Sequence, residues 1–215
     1  KPTVYVETSV VGYCTGRPSR DLIIAGRQAI TRDWWENERR KYSLHISVLV
    51  LQESHRGEPE AVRKRQEALK SIPLLGMTDL TEELADALVR KGPIPGQYPE
   101  DALHIALAAT NAMDYLLTWN FRHINNAMMR SDVTRIISDF GLDALLYARP
   151  KSFWEVLYEG GDSILEEIWK ARDEHARRFD YDLKSICADL RKIERQSGRR
   201  VITRKPKRLS TRRAE

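Results

Sequence analysis

Residues 3–9 read TVYVETS. Four β-branched or aromatic side chains break off at a carboxylate, Glu7, and two hydroxyl residues suited to start a helix, Thr8 and Ser9, follow at once. The run does not alternate apolar with polar, so it predicts a short strand buried on both faces and delivered straight into a helix. The same pattern recurs along the chain. Leu44–Val48 reads as a second buried strand leading into a helix over 49–56, Pro73–Met77 as a short third, Asp114–Trp119 as another and Leu145–Tyr147 as the last. Helix-forming stretches lie between them: 21–41, a charged one over 60–70, and an amphipathic one over 80–90 with apolar residues at 80, 84, 85, 88 and 89. The loop GPIPG (92–96) stops that helix, Pro99 opens EDALHIALAATNAM (100–113), and a further helix is expected over 124–137. Strands alternating with helices predict an α/β fold with a central parallel sheet covered on both faces. In such sheets chemistry sits just beyond the C-terminal ends of the strands.

The length of 215 residues makes one full domain with a remainder. The net charge of +5 hides a division. Residues 1–161 carry 20 basic and 21 acidic side chains, whereas residues 162–215 carry 16 and 10. A near-neutral globular body with a basic extension follows. At 41% hydrophobic the body can bury a core, which excludes wholesale disorder. No apolar stretch approaches the ~20 residues of a membrane span. No signal-peptide pattern precedes the first strand. Cys14 and Cys187 stand far apart without metal-ligand spacing, so neither a disulfide scaffold nor a zinc finger is expected. A reducing, cytoplasmic location is the expectation.

Four residues fall where this topology puts its active edge. Glu7 ends the first strand, Glu53 follows the second in SVLVLQES, Asp101 opens the helix in PEDALHIALA, and Asn120 ends the later strand in LLTWN. Clustered carboxylates repel one another and call for a cation, and hard oxygen ligands favour Mg²⁺ or Mn²⁺. Such ions activate water and offset the charge that builds on a phosphodiester. Each residue also has an ordinary reading: Asp101 as a first-turn acid favoured by the helix dipole, Asn120, Thr8 or Ser9 as caps, and Glu7 and Glu53 as solvated charges. Their joint placement at strand ends is what favours a site.

VYVETSVVGY, SVLVLQE, EDALHIALA and LLTWNFRHI, in this order and spacing over residues 2–150, resemble the motifs of PIN domains, specifically the VapC-type toxins of toxin–antitoxin pairs. The resemblance implies a three-layer α/β/α PIN-like domain over 1–150 and a Mg²⁺- or Mn²⁺-dependent ribonuclease. It puts the family's metal-binding and catalytic acidic positions on Glu7, Glu53, Asp101 and Asn120, with Thr8 or Ser9 helping to hold a metal-bound water or a phosphate. The first and fourth positions are usually Asp. Glu7 is one methylene longer, and Asn120 can coordinate through oxygen but adds no charge, which weakens a second metal most.

Past the linker expected over 151–161, with Gly160-Gly161 at its end, residues 162–215 carry two apolar helical stripes: 164, 165, 168, 169, then 183, 186, 187, 190, 193. Nine basic residues and no acid follow between 195 and 213. Two short helices and a tail cannot enclose a core, so they must dock on something. The segment SILEEIWKARDEHARRFDYDLKSICADLRKIERQSGRR resembles the small antitoxins that accompany such toxins, which implies toxin and antitoxin fused in one chain. In the family the antitoxin's C-terminal arm lies across the active site. An arginine suits that role because its fork engages carboxylates bidentately, and Arg199, Arg200 and Arg204 are the candidates.

The expectation is therefore a metal-dependent endoribonuclease that hydrolyses RNA and is neutralised by its own antitoxin-like segment, in cis or from a neighbouring chain of a homo-oligomer. The alternative is a catalytically degenerate PIN-like domain acting as an RNA-binding or regulatory module with a basic arm. His104 and His123 read as neighbours of the site or helix-surface residues. Trp34, Trp35, Trp154 and Trp169 read as core or interface residues, with stacking on RNA bases the other reading, and Met128-Met129 as core or a dimer seam.

Overall fold

A computed structural model describes residues 1–143, 145–148 and 162–209. The expected linker at 151–161, and Trp154 within it, lie outside the described residues. Among those residues the strands are β1 (Thr3–Val6), β2 (Ser43–Ser47), β3 (Leu74–Leu75), β4 (Tyr115–Leu117), β5 (Leu146–Ala148) and β6 (Val201–Ile202). They form one all-parallel sheet in the order β5-β4-β1-β2-β3-β6. TVYV is its centre: Val4 pairs with Leu44 on one side and Tyr115 on the other, and all four residues of β1 are buried.

The helices are α1 (Thr8–Thr15), α2 (Leu22–Asp33), α3 (Val48–Ser54), α4 (Pro59–Leu69), α5 (Asp79–Arg90), α6 (Pro99–Thr110), α7 (Arg130–Asp139), α8 (Ser163–Arg177) and α9 (Leu183–Gln196). From β1 the chain steps outward to β2 and β3, then returns to β1's other side for β4 and β5. Right-handed crossovers put α1–α4 on one face and α5–α7 on the other. The packing agrees, since α1 meets α2, α3 and α4 while α5 meets α6 and α7. The direction reverses at β1, and a crevice at the strands' C-terminal ends opens there. No described helix is long and apolar enough to cross a membrane.

Three elements differ from the sequence reading. The helix expected to run from 21 to 41 ends at Asp33 and continues as a π turn, Trp34–Glu38, in which the adjacent Trp34 and Trp35 are both buried. The helix expected over 124–137 starts only at Arg130. Asparagine amides claim the backbone before it: Asn120 Oδ1 accepts the His123 N–H at 3.2 Å and Asn126 Oδ1 the Met128 N–H at 2.9 Å. The third difference is β6, a strand inside the supposed basic tail. Its Val201 and Ile202 pair with Leu74 and Leu75 and extend the sheet edge.

Residues 162–209 have no core of their own. Helix α8 packs on α1, α3 and α6, and α9 on α3 and α5. Asp162 caps α8 and takes hydrogen bonds from Tyr13 and, at 2.8 Å, Arg27. Gly12 of α1 admits the helix: a Cβ there would lie 2.9 Å from Ile164 Cγ2. At the far end Arg191 bonds Glu82 at 2.6 Å and Asp79 at 3.0 Å.

Candidate active site

Local structure brings each acidic side chain to the crevice. Glu7 follows the last residue of β1 and caps α1, accepting from the Ser9 backbone N–H at 3.1 Å. Glu53 lies in the last turn of α3, a helix capped by Ser47. Asp101 sits in the first turn of α6, which Pro99 opens, and Asn120 follows β4. All four are buried, with Glu7 and Asp101 at 0% exposure. The structure thus brings together the four positions singled out in the sequence.

Each carboxylate is held by groups from its own and neighbouring elements. Glu7 Oε2 accepts from the Ser9 hydroxyl and from Thr118 Oγ1 at 2.8 Å. Ser9 Oγ in turn accepts the Trp119 N–H at 2.8 Å, which ties α1 to the end of β4. Glu53 accepts from the Thr8 hydroxyl. Asp101 meets His123 Nδ1 at 2.8 Å and the Asn120 side-chain amide at 3.1 Å. Asn120 is fixed in orientation, because its oxygen accepts the His123 N–H and a flipped amide would set two donors face to face. Its NH₂ therefore points at Asp101.

The cation among these carboxylates is Arg172 of α8, 1% exposed. Its Nε donates to Glu53 Oε1 at 2.7 Å, its Nη1 to Asp101, and its Nη2 to Glu7 and, at 3.2 Å, to Glu53 Oε2. One planar fork engages three carboxylates from three elements. His104 Nε2 lies 2.9 Å from Nη2 and 3.3 Å from Glu53 Oε1. His104 Nδ1 is 2.8 Å from the Tyr5 hydroxyl, which is 2.7 Å from Ser47 Oγ, so a buried polar chain holds the imidazole in place.

Burial on its own would raise the carboxyls of Glu53 and Asp101. The charge of Arg172, with His104 at Glu53 and His123 and His104 at Asp101, outweighs it and holds both below the usual carboxylate range. Burial likewise opposes the charge on Arg172, and Glu53, Asp101 and Glu7 reverse that and raise it. The neighbouring Glu100 is raised by burial despite His175 of α8, whose Nδ1 lies 2.9 Å from Glu100 Oε1.

The arginines expected in the site are elsewhere. Arg199 donates to the carbonyls of Leu69 at 2.6 Å and Ile72 at 2.5 Å, closing the turn before β3. The Arg200 carbonyl accepts from Leu74 N, and the Arg204 N–H donates to Asn111 Oδ1. The tail follows the sheet edge because Val201 and Ile202 pair there. The charge that enters the crevice comes from a helix, whose backbone already fixes the side chain's origin. Sequence reasoning missed Arg172, yet a signal existed: Leu165, Ile168 and Arg172 follow helical spacing, so a guanidinium stands on the apolar stripe. The sequence reading of His104 and His123 as hydrogen-bonded neighbours of the site agrees with the structure, in which both are buried and hydrogen-bond within the cluster.

Glu7, Glu53 and His104 each offer a ligand atom within 4.8 Å of the others, a set that suits a cation. The carboxylates are hard donors, and the imidazole shifts preference from Mg²⁺ toward a transition ion such as Mn²⁺. Compared with protein-family models, with curated proteins and with solved structures, the chain matches none, and its function is read from this geometry.

Proposed function

We propose that the chain is a metal-dependent endoribonuclease of the PIN-domain, VapC-like toxin type, held inactive by its own antitoxin-like segment through Arg172. One observation carries the reading: a single guanidinium from α8 bonds Glu7, Glu53 and Asp101 at once, at the switch point of a parallel sheet. Three carboxylates buried side by side need a cation, and the arm supplies one that carries no water and performs no chemistry.

With the arm withdrawn, Glu7, Glu53 and Asp101, with His104 beside them, would hold Mg²⁺ or Mn²⁺. Bound there, the ion would activate water and offset the charge that builds on a phosphodiester. The chain's own groups orient the ligands. Ser9 and Thr118 aim Glu7, Thr8 steadies Glu53, and His123 and Asn120 lock Asp101. The asparagine at the fourth position favours a second reading, a degenerate RNA-binding or regulatory module, because its amide donates to Asp101 where a carboxylate would add charge.

The test is the full chain carrying Arg172→Ala, assayed on single-stranded RNA with Mn²⁺. Cleavage rises at least about tenfold over the unaltered chain, and Asp101→Asn in that background abolishes it. If the Arg172→Ala chain binds Mn²⁺ and leaves RNA intact, the degenerate reading replaces the nuclease.

A further inference from the structure

Beside the carboxylates the crevice has an aromatic rim, and the arm covers it with one side chain. Tyr98, just before α6, stacks on His123 with ring centroids 4.0 Å apart and planes at 27°. Trp169 of α8 lies next to His123, with ring centroids 6.0 Å apart and planes tilted by 51°, and the Arg122 guanidinium is 5.2 Å from the indole centroid. The indole N–H is buried and has no hydrogen-bond partner among the described residues. Trp169 therefore meets the rim through ring and guanidinium contacts and packs against the core, with no hydrogen bond from its indole N–H among the described residues. His123 joins this rim to the centre, since its Nδ1 is 2.8 Å from Asp101 Oδ2.

Trp169 and Arg172 are three residues apart, and side chains at that helical spacing are neighbours. The arm thus presents a flat aromatic surface next to a cation. A nucleotide strand with its metal presents the same pair, an unstacked base beside a cation-bridged phosphate. Flat aromatic or guanidinium surfaces take unpaired bases with little regard to sequence. We propose that Tyr98, His123 and Arg122 form a stacking subsite for the nucleobase adjoining the scissile phosphate, and that Trp169 fills the place of that base. The inference rests on the nuclease reading for its ligand class and adds a subsite that the carboxylates do not define.

The experiment uses the full chain with Trp169→Ala, which vacates the subsite while Arg172 stays in the centre. The probe is 2-aminopurine riboside 5′-monophosphate, titrated in EDTA and read by quenching of its fluorescence. Trp169→Ala quenches and binds the probe at least about fivefold more tightly than the unaltered chain, and Tyr98→Ala in that background removes the gain. Ribose 5-phosphate does not compete, because the base face is what binds. A Trp169→Leu chain, which fills part of the space without a π surface and guards against collapse of the alanine variant, behaves in the same direction. Binding unchanged by either substitution, or a gain that survives Tyr98→Ala, overturns the subsite. The readout involves no cleavage: RNA hydrolysis by Arg172→Ala without base binding by the Trp169 variants leaves the nuclease standing and removes this subsite. Base binding without hydrolysis does the reverse.

Discussion

Helix α8 and the tail beyond Arg199 belong to one basic extension, yet they hold the body in opposite ways. The helix contributes one guanidinium, 1% exposed and shared by three carboxylates. The tail carries most of the surplus charge and uses it at the surface, as in Lys207–Asp114, where the side chains are 49% and 33% exposed. Net charge drew attention to the tail, whereas burial decides where charge matters. Exposed pairs contribute little because water and salt screen them, while a buried charge that loses its partner is costly.

The sharpest way to break this contrast is Arg172→Ala without divalent ions. Removing the guanidinium bonded to three buried carboxylates should lower stability by about 3–5 kcal/mol, the usual penalty for leaving buried charge uncompensated. Denaturant unfolding measures it, and added Mn²⁺ should return part of the loss. Acid sharpens the same point. Glu53 and Asp101 are held below their ordinary values, so their contribution is full above the unfolded carboxylate range near 4 and is lost as pH falls through the lowered folded values. Without Arg172 the acid limb should move to higher pH by about one unit or more. A variant that unfolds like the unaltered chain at every pH would place the arm's hold elsewhere.

Next in size is Gly12→Ala. The new methyl would meet Ile164 Cγ2 at 2.9 Å, a branch close to the backbone of α8 that yields only if the helix shifts. Overpacking of this kind costs about 1–3 kcal/mol. If the clash is with the arm, Ile164→Ala in the same chain should recover most of the loss, since residues in contact do not act additively. Thermal melts of the two single variants and the double variant read the coupling, and additive losses would show that Gly12 does not gate arm docking.

The parallel sheet and the meeting of three carboxylates and Asn120 at one rim could be read from sequence because local rules govern them. TVYV has no polar alternation and must be buried, and strand ends deliver Glu7 and Asn120 to one rim. What stayed hidden depends on pairings distant in sequence. Val201 and Ile202 are an unremarkable pair until β3 offers an open edge, and Arg172 looks like one more charge on a charged helix until α8 docks. The asparagines of 120–126 were legible as a chain segment but not as competitors for the helix backbone, because their partners depend on where β4 ends.

The smallest effect tests the tail directly. Burial would raise the Asp114 carboxyl, but Lys207, with Thr3, lowers it to about 2. A depressed carboxyl stabilises above its unfolded value of about 3.9, and that contribution disappears as pH drops toward 2. Lys207→Ala should therefore cost no more than about 1 kcal/mol at pH 7 in low salt, less in high salt, and nothing once Asp114 is protonated. Urea unfolding at the two pH values gives the difference. A loss approaching that of Arg172→Ala would mean that the strap from β6 to Asp114 is itself an anchor. A small, salt-sensitive loss would mean that β6 pairing and the α8 guanidinium fix the arm, leaving the tail's charges free to follow the surface they cross.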